Sequence, residues 1–285
     1  MFNIVEKRNI LFIIPCVILL AGIIGFIVFG GLNADIDFTG GSALEIDLGE
    51  KYNEDAIRQT IDAIEGVTVS TVQSSGETKA IVKTTEISQD KFVEVQNALK
   101  AKFVNSKIIS QDSVSATMGK EMWFNAAKAI IIAIILMLVY IWVRFELLSG
   151  LSAICALCHE VLMILSVYAI FQLPINTTFI AALLTILGYS INATIVVFDR
   201  VRENNKLIRR GQFKDIVNTS IWQTLGRSIN TSVTTLITLG ALYILGVTSI
   251  KQFMLPLLIG VVCGTYSSIF IAGNFWVLFK GKKAR

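Results

Sequence analysis

Most side chains in this 285-residue chain that could do chemistry stand inside apolar segments. His159 and Glu160 adjoin in one such segment and Asn192 lies in another. Arg227 opens a third, with Thr231 four residues on, so the two share one face of a helix. Polar groups within a hydrocarbon layer are costly and normally face other helices or a transport route. The chemistry such residues allow is proton exchange. Histidine has an ordinary pKa of about 6.5 and could exchange protons near neutral pH. His159 and Glu160 could equally be a satisfied packing pair, and adjacent helical residues point about 100° apart, so they need not share a partner.

Other chemistries find little support. The order Cys155-Ala-Leu-Cys158-His159 has the spacing of a c-type haem attachment, but it lies several residues deep in an apolar segment, where that chemistry does not occur. No third ligand stands near His159 and Glu160 at a metal-binding spacing. There is no Gly-rich phosphate loop and no catalytic triad. The chain therefore reads as no enzyme, with no catalytic residues, no metal and no cofactor, and it does not hydrolyse ATP. Cysteines 16, 155, 158 and 263 all fall in apolar segments, so no disulfide is expected.

The elements that must position these residues are membrane spans. The composition is 54% hydrophobic and 16% charged, with a mean hydropathy of +0.67, whereas soluble domains carry about 25% charged residues. Stretches near the required length of about 20 residues occur at 10–32, 129–143, 147–173, 175–198, 228–250 and 252–279. Lys128 can snorkel to extend the second. The first exceeds the apolar core of a signal peptide and reads as a retained anchor.

Basic residues cluster after the second, fourth and sixth spans and before the first: Lys7, Arg8, Arg144, Arg200, Arg202, Lys206, Arg209, Arg210, Lys214, Lys280, Lys282, Lys283 and Arg285. The positive-inside rule then places both termini in the cytoplasm. The remaining large excursion, 33–121, holds nine Lys or Arg against fifteen Asp or Glu, an acidic extracytoplasmic domain. The division is thus 1–32, a cytoplasmic N-terminus and first span; 33–121; and 122–285, the remaining five spans with a cytoplasmic connector at 199–226 and a basic C-terminus. Apolar pairs recurring through the connector (Leu207–Ile208, Ile216–Val217, Ile221–Trp222) fit either a helix along the interface or a solvated link. The overall charge of +4 is a topology signal; nucleic-acid binding would need a basic patch on a folded surface.

Within 33–121 the pattern alternates as strands at Leu44–Leu48, Val67–Thr71, Ala80–Val82 and Lys107–Ser115. Helices fall between them, one capped by Asn53 and burying Ile57, Ile61 and Ile64, the other capped by Ser88 and burying Phe92, Val95, Leu99 and Phe103. The order β-α-β-β-α-β is that of a ferredoxin-like unit. The expected fold class is a membrane all-α bundle of six transmembrane helices plus this small α+β extracytoplasmic domain.

Several strings together resemble the SecF family, the smaller partner in SecDF protein-export machines. They are Asp37-Phe-Thr-Gly40-Gly41 after the first span, His159-Glu160 where the family has His-Asp, and the run from Gly188 through Asp199-Arg200-Val-Arg202-Glu203. To these add Arg227-Ser-Ile-Asn-Thr231 and 260–271 in the last span. The resemblance implies the resistance-nodulation-division type of bundle and a place in the bacterial cytoplasmic membrane. It also implies association with SecD, the Sec channel, its motor ATPase and exported preproteins, and transport driven by the proton-motive force. In the family, the acid opposite Arg227 and Thr231 takes up and releases protons, and that position here is Ala193. Three readings follow: proton uptake rests on SecD, or Glu160 with His159 has taken over, or the substitution locks one state. A stabilising factor of the Sec channel, uncoupled from protons, is one alternative function; a small-molecule export subunit is another.

Overall fold

The structure, a computed structural model, describes residues 3–207 and 212–283, the last three as backbone only. Ile208, Arg209, Arg210 and Arg285 of the basic segments lie outside the described residues. In chain order the elements are α1 (Arg8–Val28), α2 (Ile36–Thr39), β1 (Gly41–Asp47), α3 (Glu54–Asp62), β2 (Val69–Ser74), β3 (Lys79–Thr84), α4 (Gln89–Lys102) and β4 (Lys107–Val114). Then come α5 (Ala116–Arg144), α6 (Leu147–Phe171), α7 (Thr177–Leu207), α8 (Phe213–Leu245), α9 (Thr248–Tyr266), a π-helical stretch at Ser267–Ala272, and α10 (Gly273–Lys283). The chain divides into two compact units, Ala34–Ala127 and the rest.

Among the described residues six helical segments are long and apolar enough to cross a membrane: α1, α5, α6, α7, α8 and the continuous run Thr248–Lys280. α6 packs on α1, where Gly22 lets the helices approach: a Cβ there would stand 2.3 Å from Ser166 Cβ. α7 packs on both α8 and α9, and Gly260 of α9 admits Ile186 in the same way. Gln172 closes α6 in a left-handed conformation, and its carbonyl accepts from the Asn33 amide at 2.9 Å.

α7 and α8 are longer than the spans read from hydropathy. The connector expected at 199–226 is no separate interfacial helix; its described residues extend the two spans. Ile216, Val217 and Ile221 are buried in a cluster with Phe198 and Trp276, and the Phe213 ring meets Trp276 edge-on at 5.4 Å. The apolar pairs of the connector thus serve the bundle's own core. Burial on protein satisfies them as well as lipid would.

The α+β unit holds a four-stranded sheet in the order β2-β3-β1-β4, every neighbouring pair antiparallel. α3 and α4 bury Ile57, Ile61, Val95 and Leu99 against Leu44, Ile46 and Val82 of the sheet. The Asn53 side chain accepts from the Asp55 amide at 2.9 Å, as a cap should. Ser88 occupies the capping position of α4 but its side chain makes no capping bond. The unit reaches Ala127, beyond the boundary at 121 set by hydropathy. The first turns of α5 belong with it: the Trp123 ring packs at a tilt on Phe38, centroids 4.6 Å apart, and a Cβ on Gly119 would meet the Phe38 carbonyl at 2.6 Å.

Candidate functional site

Arg227, Thr231, Asn192 and Ala193 come together. They line one cleft of about 70 Å³ between α7 and α8, with Tyr189, Val196, Ser228 and Ser232 completing the wall. The i, i+4 spacing does the positioning on α8. Thr231 Oγ1 donates back to the Arg227 carbonyl at 2.8 Å, which satisfies the hydroxyl locally. The Arg227 guanidinium makes no hydrogen bond or ion pair to any described residue. Among the described residues no carboxylate lines the cleft. Arginine stays charged under all ordinary conditions, so this is a cationic cleft without a counter-ion among the described residues.

Glu160 and His159 lie apart from the residues lining that cleft. Glu160 is fully buried. One carboxyl oxygen accepts a hydrogen bond from the Ser190 hydroxyl of α7, and the other, Oε1, has no partner. Gly264 of α9 makes the room: a Cβ there would stand 2.7 Å from Glu160 Oε1 and 3.1 Å from Ser190 Oγ. Both ring nitrogens of His159 are buried without a partner. The adjacent pair therefore does not share a partner, in keeping with the 100° between successive helical residues. An ionisable group so deep in a bundle, with an oxygen left open, is a functional candidate on physical grounds.

At the basic end of the bundle, Arg200 donates from Nε to Gln223 Oε1 and from Nη1 to Glu203 Oε2, both at 2.6 Å. Asn204 bridges to Ser220 and to Gln223, both at 2.8 Å. Arg202 turns the other way and reaches the Arg144 carbonyl at 3.5 Å. Asp199 is exposed. The charged string 199–203 thus ties α7 to α8 beyond the cleft. Sequence reasoning missed Gln223, Asn204 and Ser220, although amide and hydroxyl side chains one helical turn apart were the available signal.

In the α+β unit, Gly40 and Gly41 adopt φ of 79° and 147°, a region that favours glycine. A Cβ on Gly40 would meet Ala116 backbone at 2.9 Å, and one on Gly41 the Thr84 carbonyl at 2.4 Å. Their role here is the tight turn between α2 and β1. Asp37 lies in α2. Its neighbour Asp35, which the sequence did not single out, is buried; it caps α2 and forms an ion pair with buried Lys83. The four cysteines are free, and among the described residues no group of three His, Cys, Asp or Glu side chains could hold a metal.

Bundle and cleft together define a multi-pass membrane protein with a polar seam between two of its spans. Residues 94–282 match the family described as protein export membrane protein SecD/SecF, C-terminal, and the chain belongs to that family. SecF of Acidaminococcus fermentans is 37% identical over 291 residues, covering 100% of this chain and 99% of the relative. SecDF of Bacillus subtilis is 37% identical over 98% of this chain, which spans 38% of that protein. The crystal structure of SecDF from Thermus thermophilus, described as a translocon-associated membrane protein, superposes with a TM-score of 0.87 at 31% identity, covering 98% of this chain and 39% of that one.

Proposed function

We propose that this chain is a SecF-like subunit that assists preprotein translocation across the bacterial cytoplasmic membrane, alongside a separate SecD chain, the Sec channel and its motor ATPase. The observation that carries this reading is the end-to-end match to SecF at 37% identity. The bundle is then of the resistance-nodulation-division type. The sheet order β2-β3-β1-β4 with helices after β1 and β3 supports a ferredoxin-like extracytoplasmic domain. Basic residues at the ends of α5, α7 and α10 support cytoplasmic termini. The chain works without a cofactor or metal and performs no chemistry of its own.

The proton-motive force enters this complex through SecD. Arg227 and Thr231 share their cleft with Ala193, and among the described residues no acid lines it. The cleft then serves as a charged seam between two helices. A second reading places proton exchange on Glu160, which is favoured by its complete burial and open Oε1. The small-molecule export alternative would want a larger outer domain with a substrate cleft than the single small sheet at Ala34–Ala127.

The test is reconstitution. Inverted membrane vesicles carrying SecD, the channel and the motor ATPase, with and without this chain, are compared for import of a reporter preprotein. Several-fold higher yield with the chain is the expected result. Equal yields would remove the translocation role.

A further inference from the structure

A second cavity lies at the basic end of the bundle, separate from the Arg227 cleft and unused by the reading above. It encloses about 340 Å³ between the ends of α5, α6, α7, α8 and α10, within the usual range for a small-molecule site. Among the described residues its charged lining is Arg144, Arg202 and Lys280 against one carboxylate, Glu146, a surplus of two positive charges. Glu146 is committed to Lys280, with Nζ at 3.7 Å. Lys280 Nζ also lies 4.1 Å from the Phe213 ring centroid, a cation–π contact that holds it in place.

The two arginines are poorly neutralised. Among the described residues Arg202 Nη1 donates to the Arg144 carbonyl alone, at 3.5 Å. Arg144 lies over the Phe145 ring at 5.7 Å. Neither has a carboxylate within ion-pair distance among the described residues. Trp276 forms part of the wall, and its indole nitrogen is buried without an acceptor. A phosphate would supply acceptor oxygens for two guanidinium forks.

The rim identifies the kind of molecule. Val143 lines the cavity and is 82% exposed. Trp142, Tyr140, Val139 and Leu136 continue an exposed apolar flank along α5, with the aromatic residues where a membrane interface would place them. A ligand with an anionic head and apolar tails fits both halves. We infer that this cavity binds the phosphate headgroup of an anionic phospholipid, whose acyl chains lie along α5. Basic pockets between spans at the membrane surface are the usual receptors for such headgroups.

The full chain in neutral detergent is titrated with dioleoylphosphatidylglycerol, with dioleoylphosphatidylcholine and with inorganic phosphate. Bound lipid is counted by native mass spectrometry. Retention of phosphatidylglycerol should exceed that of phosphatidylcholine, and the double variant R144Q/R202Q should lose on the order of tenfold of that preference. K206Q, an exposed cation on α7 that does not line the cavity, should keep it. Equal retention of the two lipids by the unchanged chain would overturn the inference. So would an undiminished preference in R144Q/R202Q, an equal loss in K206Q, or displacement of phosphatidylglycerol by millimolar inorganic phosphate.

Discussion

Gly264 stands against Glu160 so closely that the smallest side chain would not fit: a Cβ there lies 2.7 Å from the Glu160 carboxyl. The glycine is therefore a condition of the acid's placement between α6, α7 and α9. Gly264→Ala should lower stability by about 1–3 kcal/mol, the usual cost of overfilling a packed site. Glu160→Ala in the same chain should recover much of that loss, since the two changes act on one space. Unfolding of the two single variants and the double variant in mixed micelles checks the coupling. Additive losses would separate the two residues.

Glu160→Gln tests whether this acid carries protons. Gln preserves the volume and can still accept from Ser190, but it cannot ionise. With proton entry through SecD, the variant should support gradient-driven export within about twofold of the unchanged chain, which is ~0.4 kcal/mol. Loss of only the gradient-dependent share, with protein level maintained, would transfer the proton role to Glu160.

Asp35 and Lys83 form the buried ion pair of the α+β unit. Removing one partner strands the other in a dry site, so Lys83→Met should cost about 3–5 kcal/mol. The double change Asp35→Asn with Lys83→Met should cost less. Limited proteolysis of the intact membrane-bound chain reads this directly, with new cleavage confined to 34–127. Cleavage spread equally over the bundle loops would show that the pair is not local to the unit.

Ala193→Asp places an acid in the Arg227 cleft. An unpartnered guanidinium and a new carboxylate sharing a cleft of about 70 Å³ should pair and tie α7 to α8. Export should become more or less dependent on the gradient than in the unchanged chain. An identical response would mean that the cleft is idle in the complex.

Much of this architecture is legible in the sequence. Alternation at Leu44–Leu48 and the Asn53 cap marked β1 and α3 because strand and cap chemistry are local. Arg227 and Thr231 could be placed on one face of α8 from their spacing alone. What escaped was set by contacts distant in sequence. Hydropathy stops α7 at Phe198, yet Ile216, Val217 and Ile221 find their burial on Phe198 and Trp276, so the helices continue. Lys83 looks like an exposed strand residue until Asp35, 48 positions away, takes its charge. The open oxygen of Glu160 depends on Ser190 and Gly264, which lie on two other helices.

Export under two conditions separates the proposed subunit of a gradient-driven complex from a passive one. Reporter yield is measured in vesicles with and without the chain, first with the proton gradient intact and then after an uncoupler collapses it. The account predicts that the increment due to the chain disappears when the gradient is lost. An increment of the same size after collapse would contradict it, leaving a stabiliser of the Sec channel in its place.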